Sequence, residues 1–211
     1  MRYGAACWRN WASKPPLGDI WDAVEDALGI FTPRYRAFET SGKRADPSEL
    51  LQMWEDWDVY ILDHLSIQMS RDVVRSRVMP GWDQDLDLYP EVVDVFEQLR
   101  SDGYRLGIVS NGVNQEKSAG VLGIADYFEV IVGSAHVGFS KPMSQIYELA
   151  LSLLDIAPGE AVMVEDSWSD DVGGAGAAGI RGIHLDRTTE PLLGTDVISD
   201  LFGVVELLRS E

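Results

Sequence analysis

Clustered carboxylates follow an apolar segment late in the chain. In AVMVEDSWSDD, Glu165 and Asp166 come directly after the apolar run, and Asp170 and Asp171 follow a turn later. Adjacent carboxylates repel each other, and a hard cation such as Mg²⁺, which takes oxygen ligands, is their usual compensator. We therefore expect Glu165 and Asp166 to hold a metal ion. Acidic residues at a helix start would explain Asp170 and Asp171 equally well.

Two further polar groups follow apolar runs. Ser110 and Asn111 come directly after LGIV, where a hydroxyl and backbone N–H groups beside a helix start could hold a phosphate oxygen. An ordinary turn with a helix cap would use the same residue types. Lys141 precedes Pro142, which opens a helix, and a lysine there would stabilise anionic charge on a transferring phosphoryl group. A solvated surface lysine is the alternative.

Alternating helices and strands place these residues. The predicted strands are continuous apolar runs, as expected for a parallel sheet with helices on both faces, and an open α/β fold of this kind has its site at the carboxyl ends of the strands. The predicted helices are PEVVDVFEQLRSDG, VNQEKSAGVLGIADYF, PMSQIYELALSLL and DDVGGAGAAG, and the predicted strands are YRLGIVSNG, EVIVGS, EAVMVEDS and a last one, RGIHLD.

The part of the chain before about residue 86 has a helical pattern instead. One helix is predicted from about Asp19 to near Gly29, and a second begins with the start signal of Asp46 and Pro47. The second carries an apolar stripe with helical spacing, formed by Leu50, Trp54, Trp57, Ile61 and Leu65. Such a stripe indicates core packing, although the tryptophans would also suit a contact surface.

The composition excludes several classes of function. The chain has 211 residues, a formal net charge of −18 and a hydrophobic content of 45%. Nucleic acids and anionic membranes are bound by basic faces, so neither is an expected partner. The apolar content favours a folded core over disorder. A single cysteine, Cys7, and the lack of a signal-peptide or membrane-span pattern lead us to expect a cytoplasmic protein without disulfides.

The acidity has two readings. A surface rich in Asp and poor in Lys suits a salt-rich cytosol, because screening relieves the repulsion between like charges. A genome rich in G and C would also favour Arg over Lys. The sequence therefore favours a halophilic origin without requiring one.

The motifs, in this order, resemble the haloacid dehalogenase (HAD) superfamily, whose members are mostly phosphatases and phosphomutases. LYPEVVDVFEQLRSDGYRLGIVSNG is similar to the stretch leading into the family's second motif, KPMSQIYELAL to the third, and VMVEDSWSDDVGGAGAAGI to the fourth. The resemblance covers roughly residues 86–187. It implies an α/β core with an open parallel sheet flanked by helices, formed by residues 1–16 and 83–211, and a small helical cap formed by residues 17–82.

The candidate site residues can now be given roles, which the resemblance implies. They fall into three groups: phosphate binding by Ser110, Asn111 and Lys141, magnesium binding by Glu165 and Asp166, and catalytic assistance by Lys141 and Asp171. In the family, the lysine neutralises the phosphate and the nucleophile, and the second acid of the fourth motif orients the site. Asp171 matches that acid.

The family's first motif is an apolar strand that ends in Asp-x-Asp-x-Thr. Its first Asp attacks phosphorus and its second acts as general acid and base. No Asp precedes Asp19 in this chain. Counting back from the helix that starts near Asp19, the nucleophile position falls near Trp8 and the acid/base position near Asn10. Neither side chain can form an acyl phosphate, and removing a covalent nucleophile costs several orders of magnitude in rate.

Two functions follow from these observations. By resemblance, the protein is a Mg²⁺-dependent phosphatase that acts on a small phosphomonoester. The alternative is a catalytically lapsed member that keeps the fold to bind a phosphorylated ligand or a protein partner. A small phosphorylated molecule is the expected ligand, while the particular substrate and the oligomeric state have no signature in the sequence.

Overall fold

The structure is a computed structural model that describes residues 15–41, 43–79, 86–112, 114–166, 173–188 and 196–210. The chain divides into two compact units between Asp87 and Leu88. The boundary predicted at residues 82 and 83 lies outside the described residues. So do most of residues 1–16, which we predict to join the α/β core. The predicted domain assignment therefore stays a prediction.

The first unit is helical in its described residues. Its elements are α1 (Leu17–Thr40), α2 (Pro47–His64) and α3 (Arg71–Val73), and α3 continues as a π-helix over Val74–Val78. The predicted start of α2 is confirmed. The Asp46 carboxylate accepts a hydrogen bond from the Ser48 N–H at 2.8 Å, which caps the helix in front of Pro47.

Helix α1 is longer than the sequence predicts. It continues past Gly29 and Pro33 because residues on both sides of the glycine pack against α2. Ala27 and Phe31 belong to one buried cluster with Trp57, whose ring meets that of Phe31 edge-on at 5.6 Å between centroids. Burial of this face outweighs the cost of a helical glycine, about 1 kcal/mol. Trp57 is 6% exposed, so it is a core residue.

A buried carboxylate joins α2 to the segment that follows it. Glu55 is 2% exposed, and its two oxygens lie 3.1 Å from Nη1 of Arg71 and 2.6 Å from Nη2 of Arg75. Burial raises the pKa of Glu55, but the hydrogen bonds and charges of the two arginines lower it by more, so the pKa lies below its usual value. The two ion pairs therefore stabilise the charged form of the buried Glu55 carboxylate.

The second unit alternates helices and strands. Its elements are α4 (Val92–Ser101), β1 (Leu106–Ser110), α5 (Gln115–Val121), β2 (Phe128–Gly133), α6 (Ser134–Val137), α7 (Ser144–Leu154), β3 (Val162–Glu165), α8 (Gly173–Ala177), β4 (Arg181–Leu185), β5 (Val197–Ile198) and α9 (Phe202–Arg209), with 3₁₀ turns at Ala125–Tyr127 and Pro158–Glu160. The predicted α/β class is confirmed, as is the predicted order of elements as far as β4. The short helix α6, strand β5 and helix α9 were not predicted from the sequence.

All strand pairings among the described residues are parallel. β1 pairs with β2, and β4 lies between β3 and β5. The described strands therefore form a two-stranded and a three-stranded sheet. In register, Ser110 lies beside Gly133 and Glu165 beside His184, so the carboxyl ends of paired strands stay level. Polar residues that follow these strands emerge at the same edge of their sheet.

Helices on the sheets fix the strands in place. Ile146 and Tyr147 of α7 are almost fully buried in a cluster that includes Val132 of β2. A second cluster joins Val95 of α4 to Ile183 of β4. The strand ends are thus held by buried apolar contacts. Within the described residues, no helix combines the length and apolar character that a membrane span requires.

Candidate functional site

The candidate site begins at the ends of β1 and β2. Ser110 is the last residue of β1, and the turn after it is tied to the residue that follows β2, since the Gly112 N–H donates to Oγ of Ser134 at 3.1 Å. Ser134 is fully buried. The turn that carries Ser110 and Asn111 is therefore fixed by the neighbouring strand. The helix after the turn, α5, has only seven residues, so we assign no anion binding to its N-terminus.

Asn111 and Lys141 form a reciprocal pair of hydrogen bonds. The Asn111 amide donates through Nδ2 to the Lys141 carbonyl at 2.8 Å and accepts at Oδ1 from the Lys141 N–H at 2.7 Å. The two residues are 30 positions apart, and the contact is partly buried. The side chain of Asn111 is thus committed to the backbone of Lys141 and positions that residue. Phosphate binding by Asn111 stays a prediction.

Lys141, in the turn before α7, and Glu165, the last residue of β3, form an ion pair although they lie 24 positions apart in the sequence. The Nζ of Lys141 contacts Oε1 of Glu165, and the side chains are 8% and 18% exposed. Burying a charge is costly unless the charge is paired and hydrogen-bonded, so each residue satisfies the other. The surface-lysine reading of Lys141 is wrong, because the residue is 6% exposed overall.

Asp166 lies at the exposed end of β3. Its backbone carbonyl is 3.2 Å from Nε2 of His184, which is 6% exposed on β4. Since a carbonyl can only accept, Nε2 carries the proton and donates. The histidine thus anchors the backbone at Asp166, while the carboxylate faces solvent.

Sequence analysis missed Gln115. Its Nε2 donates to Oγ of Ser110 at 3.3 Å, which places an amide beside the predicted phosphate-binding hydroxyl. A polar residue that opens a helix is ordinarily taken for a solvated one. Gly112, three residues earlier in the chain, was the available sequence signal for this contact, because glycine permits close approach of another group.

A charged cluster that the sequence analysis also missed lies after β4. Nη2 of Arg187 is 2.5 Å from Oε1 of Glu91, and the guanidinium carbon lies 3.8 Å from the ring centroid of Tyr89. Burial raises the pKa of Glu91, but its own backbone N–H and Arg187 lower it by more, and the pKa ends below its usual value. This cluster joins the start of α4 to the end of β4.

We expect the substitution Glu91→Gln to weaken the fold in a pH-dependent way. A carboxylate whose pKa is lower in the folded state stabilises the fold above its unfolded pKa, and that stabilisation is lost as the pH falls through the folded value. The unfolding temperature of the variant should therefore lie below that of the parent at neutral pH, and the gap should close below about pH 4.5. Thermal unfolding followed from about pH 3 to pH 7 measures it. Glu148→Gln, an exposed site on α7, is the control. A gap that does not change with pH would contradict this.

Several predicted positions lie outside the described residues: Trp8, Asn10, Asp170 and Asp171. The structure does bring together Asn111, Lys141 and Glu165 through the contacts above, and Gln115 contacts Ser110. Within the described ranges, no three His, Cys, Asp or Glu side chains form a group that could hold a metal ion. Glu165 and Asp166 are adjacent in the chain, and metal binding by these two residues stays a prediction.

These two carboxylates fit Mg²⁺ in chemistry. Mg²⁺ is bound in proteins by one or two carboxylates, and it keeps several of its waters. Asp166 is open to solvent, and Glu165 is partly buried, with its Oε1 in contact with Nζ of Lys141. The donor set is therefore suitable for a partly hydrated hard cation rather than for a closed protein cage.

Comparison with known proteins adds three findings. Residues 13–179 match a family model described as haloacid dehalogenase-like hydrolase. Phosphoserine phosphatase of Thermus thermophilus is 37% identical over 107 residues, which are 49% of this chain and 43% of that protein. (S)-2-Haloacid dehalogenase 1 of Pseudomonas sp. strain CBS-3 is 26% identical over 197 residues, 90% of this chain and 83% of the dehalogenase.

A solved structure is similar over most of the chain. The crystal structure of a HAD phosphatase from Thermococcus onnurineus superposes with a TM-score of 0.60 at 26% identity, covering 91% of this chain and 87% of that one. The chain spans about half the length of the curated phosphatases it matches. The similarity to the dehalogenase and to this structure extends further and includes the helical first unit.

Proposed function

Because this chain belongs to the haloacid dehalogenase-like hydrolases, we propose that its second unit binds a small phosphate ester beside Ser110 and Lys141, without performing the covalent step of that family. One observation carries the proposal. Lys141 is buried, its backbone is held by Asn111 and its side chain is paired with Glu165, so a cation is fixed near the ends of β1 and β3. The Ser110 hydroxyl completes the pair of donors that the family resemblance assigns to phosphate.

Electrostatics support a dedicated anion site. With a net charge of −18, the protein as a whole repels a phosphate ester, so binding requires a local reversal of the potential. The buried ammonium contributes because its field is weakly screened, and bound Mg²⁺ would offset the Glu165 carboxylate with which it is paired. Hydrogen bonds between a charged donor and a phosphate oxygen are about twice as strong as those between neutral groups.

Magnesium is the second element of the proposal. Glu165 and Asp166 would hold it, and when bound it would supply positive charge next to the phosphate. The residues of the chain have separate tasks. Lys141 neutralises the anion, Ser110 donates a hydrogen bond to it, and His184 holds the backbone at Asp166.

The proposed lapse of catalysis rests on the positions of the first motif. Within the 211 residues, Trp8 and Asn10 stand where the resemblance requires two aspartates, and neither an indole nor an amide can accept a phosphoryl group as an acyl phosphate. Dehalogenation would need the same missing nucleophile. Hydrolysis of a phosphomonoester is the second candidate function, and the similarity to phosphoserine phosphatase favours it.

Binding of inorganic phosphate by the full chain tests the proposal. Titration calorimetry with and without Mg²⁺ should detect binding that Mg²⁺ tightens. Ser110→Ala should weaken it about tenfold, because one hydrogen bond to a charged ligand is lost. Ser152→Ala, an exposed serine on α7, should leave the affinity unchanged. Equal affinities in Ser110→Ala and the parent would contradict the proposed site.

A parallel assay addresses catalysis. We expect that the unmodified chain releases no phosphate from an aryl phosphate in the presence of Mg²⁺ above the rate measured without protein. Turnover by the unmodified chain that disappears in Asp166→Asn would overturn the proposed lapse and support the second candidate function. The calorimetric result would still decide whether Ser110 binds phosphate.

A further inference from the structure

The side chain of Gln115 lies against the candidate phosphate site without a part in the function proposed so far. Its Nε2 donates to Oγ of Ser110 at 3.3 Å. Two glycines make room for the amide, since a Cβ on Gly112 would overlap Nε2 and a Cβ on Gly133 would overlap Oε1. The amide therefore lies closer to the backbone of both glycines than a larger residue at either position would allow.

The direction of the hydrogen bond determines what the Ser110 hydroxyl can do. A serine hydroxyl has one proton to donate and two lone pairs that accept. By donating to one lone pair, Gln115 leaves the hydroxyl proton for another acceptor. An acceptor in the place of Nε2 would take that proton, and an anion beside Ser110 would lose its donor.

The other end of the amide is held by packing. The Oε1 atom is buried, and among the described residues it accepts no hydrogen bond. A buried polar atom without a hydrogen bond lowers stability, and such atoms are uncommon in folded proteins. The buried position of Oε1 is thus unfavourable, while Nε2 keeps its hydrogen bond to Ser110. Unfavourable local arrangements of this kind are typical of residues at ligand sites.

We infer that Gln115 is a positioning residue that directs the hydroxyl proton of Ser110 toward the phosphate. The inference rests on the proposed phosphate site and adds to it the orientation of the Ser110 hydroxyl by Gln115. Gln115 acts through Ser110 and does not itself contact the ligand. Its effect on phosphate affinity must therefore vanish when the Ser110 hydroxyl is absent.

A double-mutant cycle on the full chain tests this dependence. The variants are Gln115→Met, Ser110→Ala and their combination, and the probe is inorganic phosphate in the presence of Mg²⁺, followed by titration calorimetry. Gln115→Met keeps the length of the side chain and removes the hydrogen bond. We expect it to weaken phosphate binding about fivefold in the parent and to have no effect in the Ser110→Ala background.

Each outcome has a defined meaning. Losses that simply multiply in the combined variant would overturn the inference, because Gln115 would then act independently of Ser110. An unchanged affinity in Gln115→Met would overturn it as well. If Ser110→Ala itself binds phosphate as tightly as the parent, the proposed site fails, which separates the two failures.

The polarity of the amide supplies a readout that packing would not change. Gln115→Glu has the same shape but can only accept, so it should capture the hydroxyl proton and repel phosphate, giving a larger loss than Gln115→Met. Gly133→Ala leaves residue 115 unchanged, but its Cβ would overlap Oε1 and displace the amide, so this variant should resemble Gln115→Met. Gln98→Met on α4 is the matched control. Equal affinities in the Glu and Met variants would contradict the inference.

Discussion

Replacing Lys141 with Met should remove phosphate binding, with an affinity loss beyond about a hundredfold. The substitution deletes the buried cation and also leaves the Glu165 carboxylate partly buried without it, so the remaining charge repels the ligand. Loss of this ion pair should also lower the free energy of unfolding by about 3 kcal/mol. Calorimetry with inorganic phosphate and chemical denaturation measure the two effects.

A second substitution separates binding from stability. In Lys141→Met/Glu165→Gln both charges are gone, so most of the lost stability should return while phosphate affinity stays low. Lys117→Met, at an exposed lysine on α5, controls for the loss of one positive charge. Recovery of phosphate binding in the double variant would show that Lys141 is a structural partner of Glu165 and not a ligand of the anion.

Restoring two aspartates should create turnover. We expect Trp8→Asp/Asn10→Asp to release phosphate from an aryl phosphate in the presence of Mg²⁺, at a rate several orders of magnitude above that of the parent, because it supplies both a nucleophile and an acid/base group. Colorimetric detection of released phosphate at saturating aryl phosphate measures it. Adding Lys141→Met to this variant should abolish the gain.

The single variants provide the control for this prediction. Asn10→Asp alone lacks the nucleophile and should stay at the parent's rate. Trp8→Asp alone should form product slowly, since it lacks the acid/base group. If the double variant gains nothing while still binding phosphate, the count that assigns the first motif to these positions is wrong.

The sequence predicted the strand ends well because the signal there is local. An apolar run followed by polar residues places Ser110 and Glu165 at strand termini regardless of distant contacts. The contacts between those termini are another matter. The sequence carries no signal that the Asn111 amide pairs with the backbone of a residue 30 positions away, because an exposed asparagine in a turn would have the same local sequence pattern.

The helix α1 in the first unit is longer than its sequence predicts because of tertiary packing. Gly29 favours a helix end by intrinsic propensity, but Phe31 beyond it packs on Trp57, and the burial of that contact extends the helix.

Two elements of the second unit were also not predicted. Strand β5 has two residues, too few for any periodic pattern. Helix α9 carried an apolar pattern through Val204 and Val205 that the sequence analysis did not use.

The pairing of Asn111 with Lys141 restricts how this position can evolve. Only a planar amide of that length donates and accepts in the way that the Lys141 backbone requires. Aspartate lacks the donor, serine and threonine are shorter and bear one polar atom, and lysine cannot accept. No amide residue is one nucleotide change from an asparagine codon. No single-nucleotide change at this codon therefore preserves both hydrogen bonds. A lineage that loses Asn111 must position the backbone of the buried Lys141 through other contacts.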